Sequence, residues 1–340
     1  MAAEQDYTKE RSVAIEAVIK ASQLCESVFR ELVNADTIVK KDKSPVTIAD
    51  FGAQAVVNSI LQAHFPNDRI VGEEDSKDLK ANPDTCQKVL ELANSVMEIK
   101  FQSQSELCES IDRGNFAGGP GSRFWTLDPI DGTKGFLRGE QFAVCLALIV
   151  DGKVRVGVMG CPNLPRRLQE SDGPRGTLMI AVEGQGAFQR TFDDDSEKKI
   201  EVTKTSSASK IQFCESVESG HTKHDDNARI AEILQISEKS IRMDSQCKYA
   251  VVARGEAGIY LRLPTSATYE EKIWDHASGA LLIEEAGGHI SDVLGNPLDF
   301  SQGRTLKMNK GIIATCAFDG EPSGEIHTQV LSAVKAVLNL

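Results

Sequence analysis

Apolar residues at the start of the chain recur at intervals close to 3.6, the period of an amphipathic helix. This pattern predicts one helix over residues 7–35 and a second over 48–64, which Phe65-Pro66-Asn67-Asp68 should end. A short apolar run over 69–72 predicts a strand that leads directly into Glu73-Glu74-Asp75. The chain is therefore expected to open with helices and to reach its first acidic cluster at the end of a strand.

Apolar runs typical of strands follow, over 124–127, 142–150, 153–160, 178–182 and 200–203. Asp151-Gly152 joins two of them, and this dipeptide between apolar runs strongly favours a β-hairpin. Up to about residue 204 we therefore predict an α+β domain in which helices pack on an antiparallel sheet.

Beyond residue 204 the pattern alternates, with strands predicted at 211–213, 241–243, 258–263, 289–291 and 311–315 and helices at 228–234, 247–254, 275–286 and 327–338. This alternation is typical of an α/β domain. Because a domain usually holds roughly 100–200 residues, a chain of 340 residues is expected to form two domains, 1–204 and 205–340.

Charge and cysteine content narrow the classes of partner. The 38 basic and 50 acidic residues give a net charge of −12, which disfavours binding to nucleic acids and anionic membranes. The eight cysteines show no metal-ligand spacing, so we expect buried, reduced thiols. The polar N-terminus lacks the features of a targeting signal, and no apolar run reaches the roughly 18–20 residues of a membrane span. These features predict a cytoplasmic protein, with the nucleus not excluded.

The first candidate for chemistry is Asp128-Pro129-Ile130-Asp131-Gly132-Thr133, directly after an apolar strand. Pro129 keeps Asp128 extended, so both aspartates can converge with the Ile130 carbonyl between them, a ligand set that suits Mg²⁺. The N–H groups of Gly132 and Thr133 could then approach a phosphate. The alternative is an ordinary turn, because Asp, Pro and Gly all favour turns.

Three further elements are ambiguous by themselves. Asp275 stands at the start of a predicted helix, where a carboxylate could cap the helix or bind a metal ion. Thr47 and Asp50 fit a helix capping box. The carboxylate of Glu73 could simply be solvated in a loop.

Together these segments resemble the two signature motifs of the inositol monophosphatase superfamily, with matching upstream segments. The resemblance covers about residues 12–317 and is closest to the 3'(2'),5'-bisphosphate nucleotidases, the lithium-sensitive salt-tolerance enzymes of fungi. The segments that carry this finer resemblance include Arg123–Trp125, Lys134–Gly139, Gly160–Leu164, Asp244–Tyr249, Tyr260–Pro264 and Glu271–His276. The resemblance implies a layered αβαβα sandwich, the fold type of inositol monophosphatase and fructose-1,6-bisphosphatase.

The resemblance also implies roles for individual residues. The expected ligands of two or three Mg²⁺ ions are Glu73, Asp128, the Ile130 carbonyl, Asp131 and Asp275. Asp50 and Thr133 are expected to orient and deprotonate the attacking water. The expected substrate contacts are Gly132, Thr133, His221, Ser245, Lys248, Arg262 and Asp275.

The implied reaction is hydrolysis of the 3'-phosphate of adenosine 3',5'-bisphosphate (PAP) by a two-metal, activated-water mechanism. The sulfated analogue 3'-phosphoadenosine 5'-phosphosulfate (PAPS) is a second expected substrate, and Li⁺ or Na⁺ is expected to inhibit. Two alternatives stay open: an inositol polyphosphate 1-phosphatase or inositol monophosphatase, and a non-catalytic nucleotide-binding regulator. We expect no nucleic-acid or membrane partner, and a monomer rather than a dimer.

Overall fold

The computed structural model of the chain describes residues 6–34, 44–170, 172–218, 224–264, 266, 268–320 and 324–340. The α-helices are α1 Thr8–Asn34, α2 Ser44–His64, α3 Lys77–Lys80, α4 Pro83–Val96, α5 Gln104–Asp112, α6 Thr133–Arg138, α7 His224–Ile233, α8 Cys247–Ala253, α9 Ile273–Glu285 and α10 Glu325–Leu338. The strands are β1 Arg69–Gly72, β2 Arg123–Asp131, β3 Ala143–Val150, β4 Lys153–Pro165, β5 Arg175–Val182, β6 Gly186–Arg190, β7 Lys198–Ile200, β8 Lys204–Thr205, β9 Phe213–Glu215, β10 Ile241–Arg242, β11 Ile259–Arg262, β12 His289–Ser291, β13 Ile312–Thr315 and β14 Ala317–Phe318.

The larger sheet has seven strands in their sequence order, β1 to β7. β1 runs parallel to β2, and every other pair of neighbours is antiparallel. The predicted hairpin between β3 and β4 is confirmed. Asp151 and Gly152 both have positive φ, 52° and 77°, as a two-residue turn of this kind requires.

Strand β3 explains why the sequence of this sheet is apolar without interruption. Its odd-numbered residues, Ala143, Cys145 and Ala147, belong to one hydrophobic core. Its even-numbered residues, Val144, Leu146 and Leu148, belong to the core that contains α1 and α2. Because successive side chains of a strand point to opposite faces, the sheet has buried apolar residues on both faces.

The small side chains on one face of the larger sheet allow α9 to approach closely. A Cβ atom at Gly157 of β4 would lie 3.0 Å from the Ser278 carbonyl oxygen and 3.1 Å from its Cα. On the other side of α9, a Cβ atom at Gly279 would collide with the Tyr249 ring. Helix α9 is therefore fixed between the larger sheet and α8, and its first turn, which carries Asp275, comes close to the end of β2.

The second sheet lies beyond α8 and α9, in the order β10-β9-β11-β13-β12. Tyr260 of β11 packs edge-on against Tyr249 of α8, with ring centroids 5.0 Å apart. Helices α7 and α10 contact each other, and α10 packs on β13. The resulting order is helices, sheet, helices, sheet, helices, which confirms the predicted αβαβα sandwich.

Some predictions about single elements were wrong. Helix α2 begins at Ser44, so Thr47 and Asp50 lie inside the helix and do not form its capping box. The strand predicted at 200–203 is Lys198–Ile200, and α3, α4, α5 and β6 were not predicted.

Other predictions stand as follows. All eight cysteines are buried and unpaired, as predicted. Among the described residues, no helix has the length and apolar character to cross a membrane. The domain boundary near residue 204 stays a prediction.

Candidate active site

Ten of the residues predicted to bind metal or substrate line one cavity of about 270 Å³. They are Glu73, Asp128, Ile130, Asp131, Gly132, Thr133, Ser245, Lys248, Arg262 and Asp275. Asp50 lies in α2 and is buried, outside this lining. The remaining predicted residue, His221, lies outside the described residues. The structure thus brings together residues that are widely separated in the sequence.

Strand β2 delivers two of the carboxylates. Its pairing with β3 is regular as far as Asp128, which lies opposite Cys145, and shifts before Asp131, which lies opposite Ala143. One carboxylate oxygen from each of Asp128, Asp131 and Asp275 lies within 4.8 Å of the others. The irregular strand end and the first turn of α9 therefore build an acidic cluster.

The carboxylates of this cluster repel one another, and the protein does not fully neutralise their charge. Burial, and then the neighbouring charges of Glu73, Asp131 and Asp275, raise the pKa of Asp128 well above its ordinary value. Burial and the charges of Asp131 and Glu73 do the same to the pKa of Asp275. The buried Oδ1 atom of Asp128 has no hydrogen-bond partner. Crowded carboxylate oxygens with an unpartnered buried atom fit a hard divalent cation.

Glu73 reaches this cluster from the loop after β1. The side chain of Gln54 in α2 fixes that loop, because its Nε2 donates to the Glu74 carbonyl at 2.6 Å and its Oε1 accepts from the Glu74 N–H at 3.0 Å. Glu73 is exposed to solvent at the cavity, yet surrounding protein atoms raise its pKa, while a hydrogen bond with Asp128 lowers it. Glu73 therefore belongs to the same group of mutually repelling carboxylates.

Asp50 and Thr133 lie close to the cluster, but the structure shows no hydrogen bond between their side chains. The Thr133 hydroxyl is oriented toward the Ile130 carbonyl, at 3.5 Å. The Oδ1 atom of Asp50 is buried and has no hydrogen-bond partner. Burial first, and then the charges of Glu74 and Glu73, raise the pKa of Asp50 well above its ordinary value. The joint action of Asp50 and Thr133 on water stays a prediction.

Gly132 fixes the position of α6 relative to Ser245. Its φ is 88°, in the left-handed region, and a Cβ atom there would lie 2.6 Å from the Cβ of Ser245. Ser245 itself has φ 62°, a conformation that is uncommon for a serine, and its Oγ accepts from the Cys247 N–H at 3.1 Å. A glycine is therefore required at position 132.

Lys248 places a positive charge in the wall formed by α8. Its side chain is buried, donates to the Ser245 carbonyl and to the Met243 carbonyl at 3.5 Å, and lies 5.2 Å from the centre of the Tyr260 ring. Burial lowers the pKa of Lys248, and the charge of Asp131 works against that shift.

Arg262 of β11 is the second cation on this side of the cavity, and together with Lys248 it forms what we call the cationic wall. Its Nε donates to Glu271 at 3.0 Å, and Nη2 contacts the Tyr269 hydroxyl at 3.4 Å. The other oxygen of Glu271 lies 3.2 Å from Nε2 of His276, whose Nδ1 lies 2.9 Å from the Tyr249 hydroxyl. Although burial acts in the opposite direction, His276 and Arg262 lower the pKa of Glu271 to about 2. This hydrogen-bonded network holds Arg262 in place.

The network contains residues that the sequence did not single out. Glu271 and His276 stood within a segment quoted for the family resemblance, but no role was predicted for them. Their proximity to Asp275 forms a second group of potential metal ligands. Because Glu271 and His276 bind each other and Arg262, that group already has internal partners.

Lys134, Glu218, Asp244 and Gln246 also line the cavity and were not predicted. Lys134 pairs with Glu218 at 2.9 Å, and Asp244 with Arg138 at 2.6 Å. The Gln246 N–H donates to Asp131. These contacts join distant segments, and no local sequence pattern indicates them.

Comparisons with known proteins agree with the architecture. The model of the inositol monophosphatase family matches residues 6–338. A relative from Schizosaccharomyces pombe called 3'(2'),5'-bisphosphate nucleotidase is 47% identical, over 97% of this chain and 96% of its own. Relatives with the same description from Emericella nidulans and Dictyostelium discoideum are 43% and 42% identical, over 98% and 91% of this chain and 99% and 93% of theirs.

Solved structures support the same fold. Mycobacterium tuberculosis SuhB superposes with a TM-score of 0.61 at 18% identity, covering 98% of both chains. An inositol monophosphatase from Anabaena superposes with a TM-score of 0.59 at 20% identity, covering 96% of this chain and 95% of its own. These structures share the layered arrangement described above.

Proposed function

The chain belongs to the inositol monophosphatase family, and we propose that it is a magnesium-dependent 3'(2'),5'-bisphosphate nucleotidase. The proposed reaction converts PAP and water to AMP and phosphate, and PAPS to adenosine 5'-phosphosulfate and phosphate. The observation that carries the proposal is a single cavity that combines an uncompensated carboxylate cluster with two buried cations, Lys248 and Arg262. The names of the relatives support the choice of substrate.

The acidic part of the cavity would hold the metal. Glu73, Asp128, the Ile130 carbonyl, Asp131 and Asp275 supply only oxygen ligands, which suit Mg²⁺, and we propose two or three ions. When bound, magnesium neutralises the carboxylates, polarises a phosphate oxygen and lowers the pKa of a water molecule.

The residues of the chain do the remaining work on the water and the phosphate. The raised pKa and the unpartnered oxygen make Asp50 suited to take up a proton. The Thr133 hydroxyl, at the cavity, could pass a hydrogen bond between the attacking water and Asp50. Gly132 lacks a side chain that would obstruct the phosphate beside Thr133. Positioning of this kind is the main contribution a protein makes to phosphoryl transfer.

We propose that the cationic wall recognises the nucleotide. Lys248 and Arg262 would bind a phosphate or the ribose edge, and the Ser245 hydroxyl can donate while its oxygen accepts from Cys247. Arg262 enters this role already oriented by Glu271 and Tyr269, which reduces the ordering needed on binding. His221 is proposed as a further nucleotide contact.

Two alternatives are separable by experiment. An inositol polyphosphate 1-phosphatase or inositol monophosphatase would use the same acidic cluster but would give Lys248 and Arg262 no nucleotide to bind. A non-catalytic nucleotide-binding regulator would bind PAP without turnover. The presence of Asp50 and Thr133 beside the carboxylates supports a catalytic role over the regulator.

Further properties belong to the same proposal. Li⁺ or Na⁺ should inhibit by occupying a magnesium position in the carboxylate cluster. We also propose that the protein acts as a cytoplasmic monomer, for which its eight free cysteines and acidic charge are suitable.

The test is phosphate release from PAP, PAPS, inositol 1-phosphate and inositol 1,4-bisphosphate, each in Mg²⁺ with and without millimolar Li⁺. Rapid, lithium-sensitive release from the nucleotides is the expected result. Release from the inositol phosphates alone would contradict the assignment of Ser245, Lys248 and Arg262. Tight PAP binding with no release from any substrate would favour the regulator.

A further inference from the structure

Arg304 lies outside the cavity lining, behind the loop that carries Glu73. Its guanidinium donates to three backbone carbonyls: Gly72, and Gly114 and Phe116 at 3.1 Å each. Gly72 is the residue immediately before Glu73, and the segment 114–116 pairs with β1 through a bridge between Val71 and Asn115. The side chain of Arg304 therefore holds the chain at the point where it enters the acidic cluster.

The backbone of Arg304 is tied to the opposite side of the cluster. Its carbonyl accepts from the Ile273 N–H at 3.2 Å, and the Leu306 N–H donates to the Glu271 carbonyl at 2.8 Å. An isolated bridge between Lys272 and Thr305 lies between these two bonds. This short ladder precedes Asp275 directly, so the residue that holds Gly72 through its side chain holds the start of α9 through its main chain.

The guanidinium also lies over an aromatic ring. Its central carbon lies 4.8 Å from the centre of the Trp274 ring, and Trp274 is the immediate neighbour of Asp275. Among the described residues, Arg304 forms no ion pair, and its hydrogen-bond acceptors are carbonyl oxygens. A planar, forked donor is needed to reach carbonyls of two segments while stacking on a ring, and a lysine ammonium lacks this geometry.

We propose that Arg304 is a positioning residue that sets the distance between Glu73 and Asp275 and thereby the affinity of the carboxylate cluster for divalent cations. The inference rests on the proposed metal site but not on the identity of the substrate. It assigns Arg304 no contact with metal or substrate. Residues that orient metal ligands typically change metal affinity by roughly 10–100-fold when they are replaced.

The test is cation binding by the full chain without substrate. Binding of Mn²⁺, followed by loss of the free-ion paramagnetic resonance signal, is compared for wild type, Arg304→Lys and Arg304→Met. We expect both variants to bind roughly 10–100-fold more weakly, because lysine keeps the charge but cannot maintain the three-carbonyl fork. In phosphate-release assays, the Mg²⁺ concentration for half-maximal rate should rise while kcat at saturating Mg²⁺ stays within a few-fold of wild type.

Arg69→Lys is the matched control. The guanidinium of Arg69 also lies 4.8 Å from an aromatic ring, that of Phe116, but it stands at the start of β1, away from Glu73. We expect unchanged cation affinity in this variant. If Arg304→Met does not fold, Arg304→Lys decides the question.

Several outcomes would overturn the inference. One is wild-type Mn²⁺ affinity in Arg304→Lys. A lower melting temperature in the Arg304 variants, with unchanged cation affinity, would show a merely structural role. A wild-type chain that binds no divalent cation would overturn both this inference and the proposed metal site. A wild-type chain that binds cations but releases no phosphate from PAP would contradict only the proposed substrate, and the binding comparison would still decide the role of Arg304.

Discussion

The cavity has an acidic wall, formed by Glu73, Asp128, Asp131 and Asp275, and a cationic wall, formed by Lys248 and Arg262. The two walls differ in how far other groups of the protein neutralise their charges. In the acidic wall, Asp128 has a buried oxygen without a partner, and the carboxylates raise one another's pKa values. In the cationic wall, Arg262 is bonded to Glu271 and Tyr269, and Lys248 to backbone carbonyls. A bound cation would neutralise the first wall, whereas the second is ordered before any ligand arrives.

Under the proposed function, this difference would allow one site to bind both a cation and a polyanion. The acidic wall gains most from ligand binding because binding removes repulsion between its carboxylates. The cationic wall gains less per contact but loses little freedom on binding. Variants in the two walls should therefore fail in different ways, and the following predictions proceed from the largest expected effect to the smallest.

Asp128→Asn should separate function from stability in the acidic wall. Removal of a central ligand should lower kcat by about 10³-fold or more, which corresponds to about 4 kcal/mol of barrier. Because the substitution also removes a buried, repelled charge, the metal-free variant should melt no lower than wild type. Steady-state kinetics and thermal unfolding check both parts. Asp84→Asn, at an exposed position in α4, is the control, and near wild-type activity of Asp128→Asn would refute the ligand assignment.

Glu271→Gln should do the reverse in the cationic wall. The change leaves the buried Arg262 without its carboxylate, so we expect a loss of about 3 kcal/mol in the free energy of unfolding, measured with urea. Glu270→Gln changes an exposed neighbour and should have little effect. The low pKa of Glu271 implies that its stabilisation is present above the ordinary value of 4.5 and is lost as pH falls toward about 2. An unchanged unfolding free energy would show that the network contributes no stability.

Thr133→Ala tests the proposed role of the Thr133 hydroxyl in orienting the attacking water. Loss of the hydroxyl should lower kcat by about 100-fold, with little change in KM, because the proposed partner of the hydroxyl is the water and not the nucleotide. Thr133→Ser keeps the hydroxyl and should restore most of the rate. A rise in KM at unchanged kcat would instead assign Thr133 to substrate binding.

The smallest predicted effect is the pH dependence of the metal-free protein. The raised pKa values of Asp128 and Asp275 mean that the folded state retains protons that the unfolded state has lost. The free energy of unfolding should therefore fall as pH rises above the ordinary aspartate value of 3.8. Melting curves in EDTA should show this decrease and curves in Mg²⁺ should not. A decrease of equal size in EDTA and in Mg²⁺ would show that the pH dependence does not arise from the metal site.

The sequence was sufficient to predict those parts of the fold whose information is local. The apolar runs and Asp151-Gly152 define the β3–β4 hairpin, and the aspartates at the end of β2 are adjacent in the chain. Helix α4 had a usable signal that was missed: Asn82 caps it by accepting from the Thr85 N–H, and Pro83 occupies its first turn. The early start of α2 was missed because Thr47 and Asp50 fit a capping box equally well.

The support of the site was not predictable in the same way. The network from Tyr249 through His276 and Glu271 to Arg262 joins two helices, a strand and a loop, so its hydrogen bonds exist only after packing. Arg304 is bonded to Gly72, far away in the chain, and neither residue lies in a local motif that indicates the contact. The family resemblance indicated the residues expected to touch ligands and assigned no role to those that hold them.

The sequential order of β1 to β7 has a consequence for folding. Neighbouring strands of that sheet are consecutive in the chain, so most of it can form by closing short loops, which is kinetically favourable. The carboxylate cluster, in contrast, needs β2 and α9 together, and their association must close a long loop. Cation binding should consequently appear late in refolding, after most of the sheet signal is recovered. Cation binding would then indicate that folding is complete, since a partly folded molecule could not assemble the carboxylate cluster.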